Sequence, residues 1–195
     1  MNYLAHAYLA ETNDRFQIGN LIADFVKGSA AKSYDGKIAA GIIFHRRVDT
    51  FADGHDMTIA SRRLFAPERR RTAGVVLDIC YDHFLAKNWH RYADIELAEF
   101  VGRVYDLLQS HLDQLPERFR QVFPRMIEQN WLASYGSLEG VEVALARMSR
   151  RLSGNIRLDD AMVDISANYG ALEGNFSAFF PDLIEFARNY LQDPL

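Results

Sequence analysis

Histidine and aspartate side chains lie inside two apolar segments of this chain whose residue spacing predicts α-helices. The first segment reads HRRVD, from His45 to Asp49, and the second reads DICYDHF and begins at Asp78. Side chains four residues apart project from the same helix face, so His45 and Asp49 are expected to address one point. The same spacing relates Asp78 to Asp82. Together with Asp24 upstream, these residues make a divalent-metal hydrolase the leading hypothesis.

The rest of the chain also has helical periodicity, with apolar residues recurring at three- and four-residue intervals. Turn signals at Asp35 and Gly54 bound one predicted helix. Because glycine and proline interrupt helices, breaks are predicted further along the chain at Gly154 and Pro181, and Pro124 is expected to bend or divide its helix. No alternation of β-branched residues extends over more than a few positions, so a sheet is not expected. The predicted fold class is therefore all-α.

Length and composition limit the number of domains. A chain of 195 residues that is 49% hydrophobic can bury one sizeable core but is short for two full domains. We predict a single-domain helical bundle over residues 1–195, with the metal site mainly from residues 1–90 and supporting helices from residues 91–195. The one cysteine, Cys80, excludes a disulfide framework, and no segment has the pattern of a leader or a membrane span. A soluble cytoplasmic protein without membrane insertion is the expectation.

Charge is unevenly distributed along this sequence. The formal net charge of -4 argues against a general nucleic-acid binder. Arginine nonetheless predominates among the cations, and its planar guanidinium suits phosphate and carboxylate partners better than the ammonium of lysine does. A solvated helix face and a binding surface for an anionic partner are both open interpretations of the cluster formed by Arg62, Arg63, Arg69, Arg70 and Arg71.

The histidines and aspartates supply the donor types that hydrolytic metal sites use. Asp24 follows three apolar residues, where an unpaired carboxylate would be costly if it were buried. His83 directly follows Asp82, and adjacent helix residues point about 100° apart, so one of them would bind a metal while the other orients a ligand or moves a proton. The alternative is that Asp82 caps a neighbouring element while His83 packs. Mixed imidazole and carboxylate ligation suits Mn²⁺, Mg²⁺ or Fe²⁺ better than a thiolate-rich zinc site.

Four more residues are candidates for the chemistry. Asp78 is either a further ligand or an acceptor for a ligating histidine. His6, on the first predicted helix, is another candidate, and the residues alone do not rank it against Asp78. Arg46 and Arg47 stand inside the HRRVD segment, so at least one flanks the proposed metal face and could clamp a phosphoryl oxygen. A simple salt bridge with nearby acids is the alternative for these arginines.

Several segments, taken in chain order, resemble the acyl carrier protein phosphodiesterase family. The residues that carry the resemblance are NYLAH from Asn2, GNLIADFVKG from Gly19, HRRVD from His45 and LDICYDHFL from Leu77. It extends more loosely through residues 129–132, 148–151 and 169–180. The resemblance therefore covers essentially the whole chain. The ordered set is specific, whereas any single segment would not be.

This resemblance implies an all-α, HD-domain-like fold and a divergent member of the HD-type metal phosphohydrolases. The implied reaction is a Mn²⁺-dependent hydrolysis that removes the 4'-phosphopantetheine arm from holo acyl carrier protein and leaves apo carrier protein. HD domains order their ligands as histidine, then His-Asp, then aspartate. This chain departs from that order, because the adjacent pair is reversed to Asp82-His83 and because Asp24 precedes His45.

The resemblance also implies roles for individual residues. The implied metal ligands are Asp24, His45, Asp82 and His83. Asp49 is a ligand or the general base for the attacking water, and His6 is a further catalytic candidate. Arg46 or Arg47 receives charge that develops on the phosphoryl oxygens. The arginines from Arg62 to Arg71 would face the carrier protein, which is small and acidic, and such complementary charge raises the association rate and is weakened by salt.

Two rival functions are compatible with parts of this pattern. An HD-type phosphohydrolase acting on nucleotides or other small phosphate esters would need the metal residues but no basic surface. A non-catalytic helical binding module would use the arginine cluster and predicts no bound metal. The second rival leaves the histidine and carboxylate residues without an explanation.

Overall fold

The computed structural model describes residues 1–150 and 156–192, without the side chains of residues 29, 30 and 32. Every regular element within these residues is helical, which confirms the all-α prediction. The α-helices are α1 (Tyr3–Leu9), α2 (Asp14–Ile22), α3 (Gly36–Gly54), α4 (Asp56–Arg62), α5 (Ala73–Lys87), α6 (Leu97–Ser110), α7 (Glu117–Glu128), α8 (Trp131–Ser134), α9 (Leu138–Ser149), α10 (Met162–Ala167) and α11 (Tyr169–Gln192). The HD-domain-like arrangement and the single-domain organisation stay predictions.

A hydrophobic core extends through the described residues and contains buried side chains from α1 to α11. Aromatic rings dominate it where α5 meets α11, with Phe84 and Tyr81 packed against Phe176. On α3, His45 is buried and Asp49 is half-buried, so this face of the helix lies at the edge of the core. None of the described helices combines the length and the apolar character that a bilayer crossing requires.

Two glycines allow α2 and α3 to pack with their backbones almost in contact. A Cβ atom at Gly19 would lie 2.1 Å from the Ile38 carbonyl oxygen, and one at Gly41 would lie 2.1 Å from the Phe16 carbonyl oxygen. Any side chain at either position would therefore force the helices apart. This close approach brings the 3₁₀ turn that follows α2, which carries Asp24, against α3.

Buried amide side chains attach α1 to α2. Nδ2 of Asn20 donates to the carbonyl of His6 at 2.8 Å, and Nε2 of Gln17 donates to the carbonyl of Ala7 at 2.8 Å. These carbonyls lie in the last turn of α1, where no intrahelical donor is present. The two amides therefore satisfy the end of a seven-residue helix and set the position of His6 relative to α2.

The predicted break at Pro181 is wrong, because α11 continues through it. Proline inside a helix costs about 3 kcal/mol, and the burial of the aromatic face of α11 offsets this cost. Pro124 likewise lies inside α7 and does not divide it. The break falls later, at Asn130, whose left-handed backbone (φ 44°) precedes α8. The break predicted at Gly154 lies outside the described residues.

Candidate metal centre

The imidazoles of His6 and His45 lie stacked where α1 meets α3, and both contact Asp49. Their ring centroids are 3.7 Å apart and their planes differ by 15°. Nε2 of His6 lies 3.1 Å from Oδ1 of Asp49, and Nε2 of His45 lies 3.2 Å from Oδ2. One donor atom from each of the three side chains lies within 4.8 Å of the other two. The pairing of His45 with Asp49 that the four-residue spacing predicts is therefore present, and His6 joins it.

Asp24 approaches the same cluster from the 3₁₀ turn after α2. Its Oδ1 lies 3.3 Å from Nε2 of His45, so His45 stands between two carboxylates. The side chain of Asp24 is 70% exposed, whereas that of His45 is 7% exposed and that of His6 is 2% exposed. The cluster therefore has a buried imidazole side and an open carboxylate side.

Burial and neighbouring carboxylates set the protonation of this cluster. Burial alone lowers the pKa of His45, but hydrogen bonds with Asp24 and Asp49 raise it to about 9. Burial, reinforced by the charge of His45, lowers the pKa of His6 to about 4. Burial by itself raises the pKa of Asp49, yet hydrogen bonds from His45 and His6 hold that pKa well below its usual range. At neutral pH the cluster therefore holds one charged imidazole between ionised carboxylates.

The donor set fits a divalent cation. Two ligands at right angles on an octahedral ion, each about 2.1 Å from it, lie about 3.0 Å apart. The separations of 3.1 and 3.2 Å between the imidazole nitrogens and the Asp49 oxygens are close to this value. Nδ1 of His6 and Nδ1 of His45 are also buried without a hydrogen-bond partner among the described residues. Buried polar atoms without partners are exceptions in folded proteins, and a bound ion or water is one explanation for them.

The amino group of Met1 places a positive charge beside this cluster. It donates to Oδ1 of Asp78 at 3.0 Å and to Oδ1 of Asp49 at 3.2 Å. Burial lowers the pKa of this amine, but the charges of Asp78 and Asp49 raise it to about 11. The amine therefore links Asp78 to Asp49, because it donates to both. The role of Asp78 as a ligand or as an acceptor for a histidine stays a prediction.

Asp82, a predicted ligand, caps α1 in this structure. Its carboxylate accepts the backbone N–H of Leu4 at 2.7 Å and that of Ala5 at 3.2 Å. Burial raises the pKa of Asp82 to about 7 in spite of these two donors. The geometry matches the alternative that Asp82 caps a neighbouring element. Within the described residues, the group of convergent donors does not include it, and metal binding by Asp82 stays a prediction.

His83 lies on α5 beside Asp82 but faces two other parts of the chain. Its Nδ1 lies 2.7 Å from the Tyr135 carbonyl oxygen, and its Nε2 lies 2.8 Å from the Tyr169 hydroxyl. Both ring nitrogens are therefore engaged, and the imidazole bridges the segment after α8 to the start of α11. Metal binding by His83 also stays a prediction, and the geometry does not bring this residue to Asp49.

The two arginines of the HRRVD segment differ in their contacts. Nη2 of Arg46 donates to the Val26 carbonyl at 2.9 Å and lies 3.5 Å from the Gly28 carbonyl oxygen. Arg46 therefore holds the loop after Asp24 against α3. Arg47 is exposed on the same helix. Contact of either guanidinium with phosphoryl oxygens stays a prediction.

Internal ion pairs engage part of the arginine cluster that was predicted to face a partner. Arg62 binds the carboxylate of Asp53, and Arg69 donates to Asp164, with Nη2 3.1 Å from Oδ1. These two arginines therefore tie α4 and the following turn to other elements. The exposed members of the cluster are Arg63, Arg70 and Arg71.

Comparison with known proteins gives the relationship of this chain. The family model described as acyl carrier protein phosphodiesterase matches residues 1–183, which include every residue of the cluster. The chain belongs to this family. The resemblance expected from the ordered sequence segments is thereby confirmed.

Curated relatives named acyl carrier protein phosphodiesterase match this family member over nearly their full length. The protein from Photorhabdus laumondii is 37% identical over 190 residues, which cover 97% of this chain and 96% of the relative. Those from Serratia proteamaculans and Yersinia enterocolitica are each 35% identical over 190 residues, covering 97% of this chain and 98% of each relative. No solved structure matched the chain.

In this member of the acyl carrier protein phosphodiesterase family, two cationic residues that the sequence patterns did not predict lie beside Asp24. Lys27 and Arg118 line a cavity of about 420 Å³ together with Asp24. Lys27 follows Asp24 by three residues, and that spacing was an available signal. Arg118 belongs to α7, far along the chain, so only the tertiary structure brings it to the site.

Proposed function

We propose that this chain hydrolyses the phosphodiester that links 4'-phosphopantetheine to a serine of holo acyl carrier protein. Membership of the acyl carrier protein phosphodiesterase family supports this choice of substrate. The observation that carries the chemistry is the convergence of His6, His45 and Asp49 on one point, with Asp24 at its open side. A histidine that only packs in a helical core would not need a second imidazole and two carboxylates beside it.

A divalent ion is part of this proposal, with Mn²⁺ as the first choice and Mg²⁺ or Fe²⁺ as alternatives. The residues that would hold it are His6, Asp24, His45 and Asp49. When bound, such an ion supplies Lewis-acid activation of water and neutralises charge on phosphoryl oxygens. Both oxygens of Asp49 contact an imidazole, so we assign this carboxylate to ligation rather than to proton transfer.

The chain contributes cations on the open side of the site. Lys27 and Arg118 line the cavity that Asp24 borders. Their positive charges would stabilise the negative charge on the phosphoryl oxygens. Arg46 keeps the loop between Asp24 and Gly28 in place through the backbone carbonyls that it binds. In the reaction, water supplies an oxygen to phosphorus, the bond from phosphorus to the serine oxygen breaks, and a proton from water ends on that serine oxygen.

Intact-protein mass spectrometry of holo acyl carrier protein tests the reaction directly. The carrier is incubated with the wild-type protein and Mn²⁺, with the wild type and EDTA, and with the variant Asp49→Asn. Asp53→Asn is the matched control, because Asp53 lies one turn further along α3 and pairs with Arg62 at the surface. We expect loss of the whole phosphopantetheine mass only with the metal-replete wild type and the control.

An unchanged carrier mass in the presence of folded, metal-loaded protein would contradict this proposal. Calorimetric titration with Mn²⁺ establishes the metal loading independently of turnover. The same preparation is then assayed with nucleotides and small phosphate esters. Turnover of these compounds, without turnover of the carrier, would support the rival phosphohydrolase function.

A further inference from the structure

A groove between α7 and α9 has a cationic lining that the proposed chemistry does not use. It encloses about 890 Å³, and Arg125 of α7 lies on its lining together with Arg147 and Arg150 of the α9 end. Trp131 of α8 also lines it, and the guanidinium of Arg147 lies over the indole at 3.6 Å from the ring centroid. Glu139 is the one acidic residue of this lining.

The groove leads to the candidate metal centre. Gln121 and Val122 line both this groove and the smaller cavity that Asp24 borders. Tyr3 lines the smaller cavity as well, and its ring centroid lies 6.5 Å from that of Trp131. A molecule seated in the groove therefore reaches the open side of the cluster without crossing the protein core.

The charge of this surface is opposite to that of the whole chain. The two connected cavities have five cationic lining residues and two acidic ones, whereas the chain has a formal net charge of -4. In the described part of the chain, no carboxylate pairs with Arg118 or Arg125. Cations gathered beside the proposed hydrolytic site attract anions electrostatically, so this lining favours an anionic partner.

We propose that the groove between α7 and α9 binds the acidic surface of the carrier protein, with the phosphodiester directed toward Asp24. This inference rests on the proposed function, because it takes the carrier protein as the substrate. Complementary charge favours this occupant over a neutral peptide and sets the orientation of docking. It also replaces the arginines from Arg62 to Arg71 as the main docking surface, since Arg62 and Arg69 already bind Asp53 and Asp164.

Charge reversal in the groove tests this proposal. Arg125→Glu combined with Arg150→Glu reverses two charges that lie away from Asp24. Arg91→Glu combined with Arg120→Glu makes the same change in charge at two exposed positions outside the groove lining. Arg70→Glu combined with Arg71→Glu tests the competing surface.

Binding of apo carrier protein, measured by calorimetry without turnover, is the first readout. We expect the groove variant to weaken binding about tenfold or more, and the other two variants to change it less than about twofold. Arg125→Lys combined with Arg150→Lys should retain binding, because the charge is kept. Added salt should weaken wild-type binding more than binding by the groove variant.

Turnover of holo carrier protein is the second readout. The groove variant should raise KM with little change in kcat, since the metal residues are untouched. Normal carrier binding by a folded groove variant, or a loss confined to the Arg70 and Arg71 variant, would overturn the proposal. Failure of the proposed function has a different signature, in which wild-type protein binds the carrier but removes no phosphopantetheine.

Discussion

Two histidine and aspartate pairs, each inside an apolar helical segment, have different surroundings in the structure. His45 and Asp49 on α3 converge with His6 and Asp24, and their contacts are with other ionisable groups. On α5, Asp82 instead accepts the backbone N–H of Leu4, and His83 contacts the Tyr135 carbonyl and the Tyr169 hydroxyl.

The difference between these pairs lies in which partners satisfy them. Both ring nitrogens of His83 have a hydrogen-bond partner, whereas Nδ1 of His45 is buried without one among the described residues. Binding a metal at the α5 pair would require breaking hydrogen bonds that stabilise the fold, which costs free energy. The α3 pair already brings imidazole and carboxylate groups together at one point, so it is the better metal site. Four predictions test this distinction.

The largest expected effect is the loss of turnover when either residue of the α3 pair is substituted. His45→Ala and Asp49→Asn should each lower kcat/KM for holo carrier protein by about 10³-fold, the scale on which a major electrostatic contribution to catalysis acts. Mass spectrometry of the carrier protein measures the rate. His83→Gln is the matched variant on α5 and should retain turnover within about tenfold. Equal losses at His45 and His83 would show that the two pairs are not distinct.

Metal binding should stabilise the protein through the α3 pair alone. At a Mn²⁺ concentration 100 times Kd, ligation stabilises the folded state by about 2.7 kcal/mol. We expect this increase for the wild type and for Asp82→Asn, and we expect it to vanish in Asp49→Asn. Urea unfolding with and without Mn²⁺ measures the difference. A stabilisation that disappears in Asp82→Asn but survives in Asp49→Asn would assign the metal to the α5 pair.

Loss of the cap on α1 should lower stability without removing the metal site. Asp82→Ala leaves the backbone N–H groups of Leu4 and Ala5 without their acceptor, so the free energy of unfolding should fall by about 2 kcal/mol. Asp82→Asn keeps one acceptor oxygen and should lose less. The urea midpoint at constant slope reports both changes. A fully stable Asp82→Ala protein would contradict the capping role.

The smallest effect is expected at the hydroxyl that binds His83. Tyr169→Phe removes the hydrogen bond to Nε2 and should lower the free energy of unfolding by about 1 kcal/mol. Turnover and Mn²⁺ affinity should stay at the wild-type level. A drop in Mn²⁺ affinity instead would indicate that the Tyr169 contact orients a metal ligand.

Local sequence patterns predicted the ends of α3 correctly but not the course of α11. The turn signals at Asp35 and Gly54 bound α3 correctly. The predicted break at Pro181 was wrong because the aromatic side chains of α11 bury enough surface to offset one lost hydrogen bond. The strength of such burial depends on neighbours from other helices, which a local pattern does not contain.

The candidate site was predictable in part. Helical spacing alone relates His45 to Asp49, and the contact between them is present. His6 was a candidate without a rank, because its place in the cluster depends on the amide contacts that hold α1 to α2. The role of Asp82 as a cap depends on the packing of α1 against α5, which no spacing within either helix reveals.

The sequence by itself determined the helical fold class, the family and the four-residue spacing that unites His45 with Asp49, because these depend on local periodicity and on the order of residues. Only the tertiary structure decided which ionisable groups meet. Gly19 and Gly41 let α2 approach α3 closely enough for Asp24 to reach His45, and α7 brings Arg118 beside them. Convergence of this kind arises from packing between distant segments, so it appears only when the chain is folded.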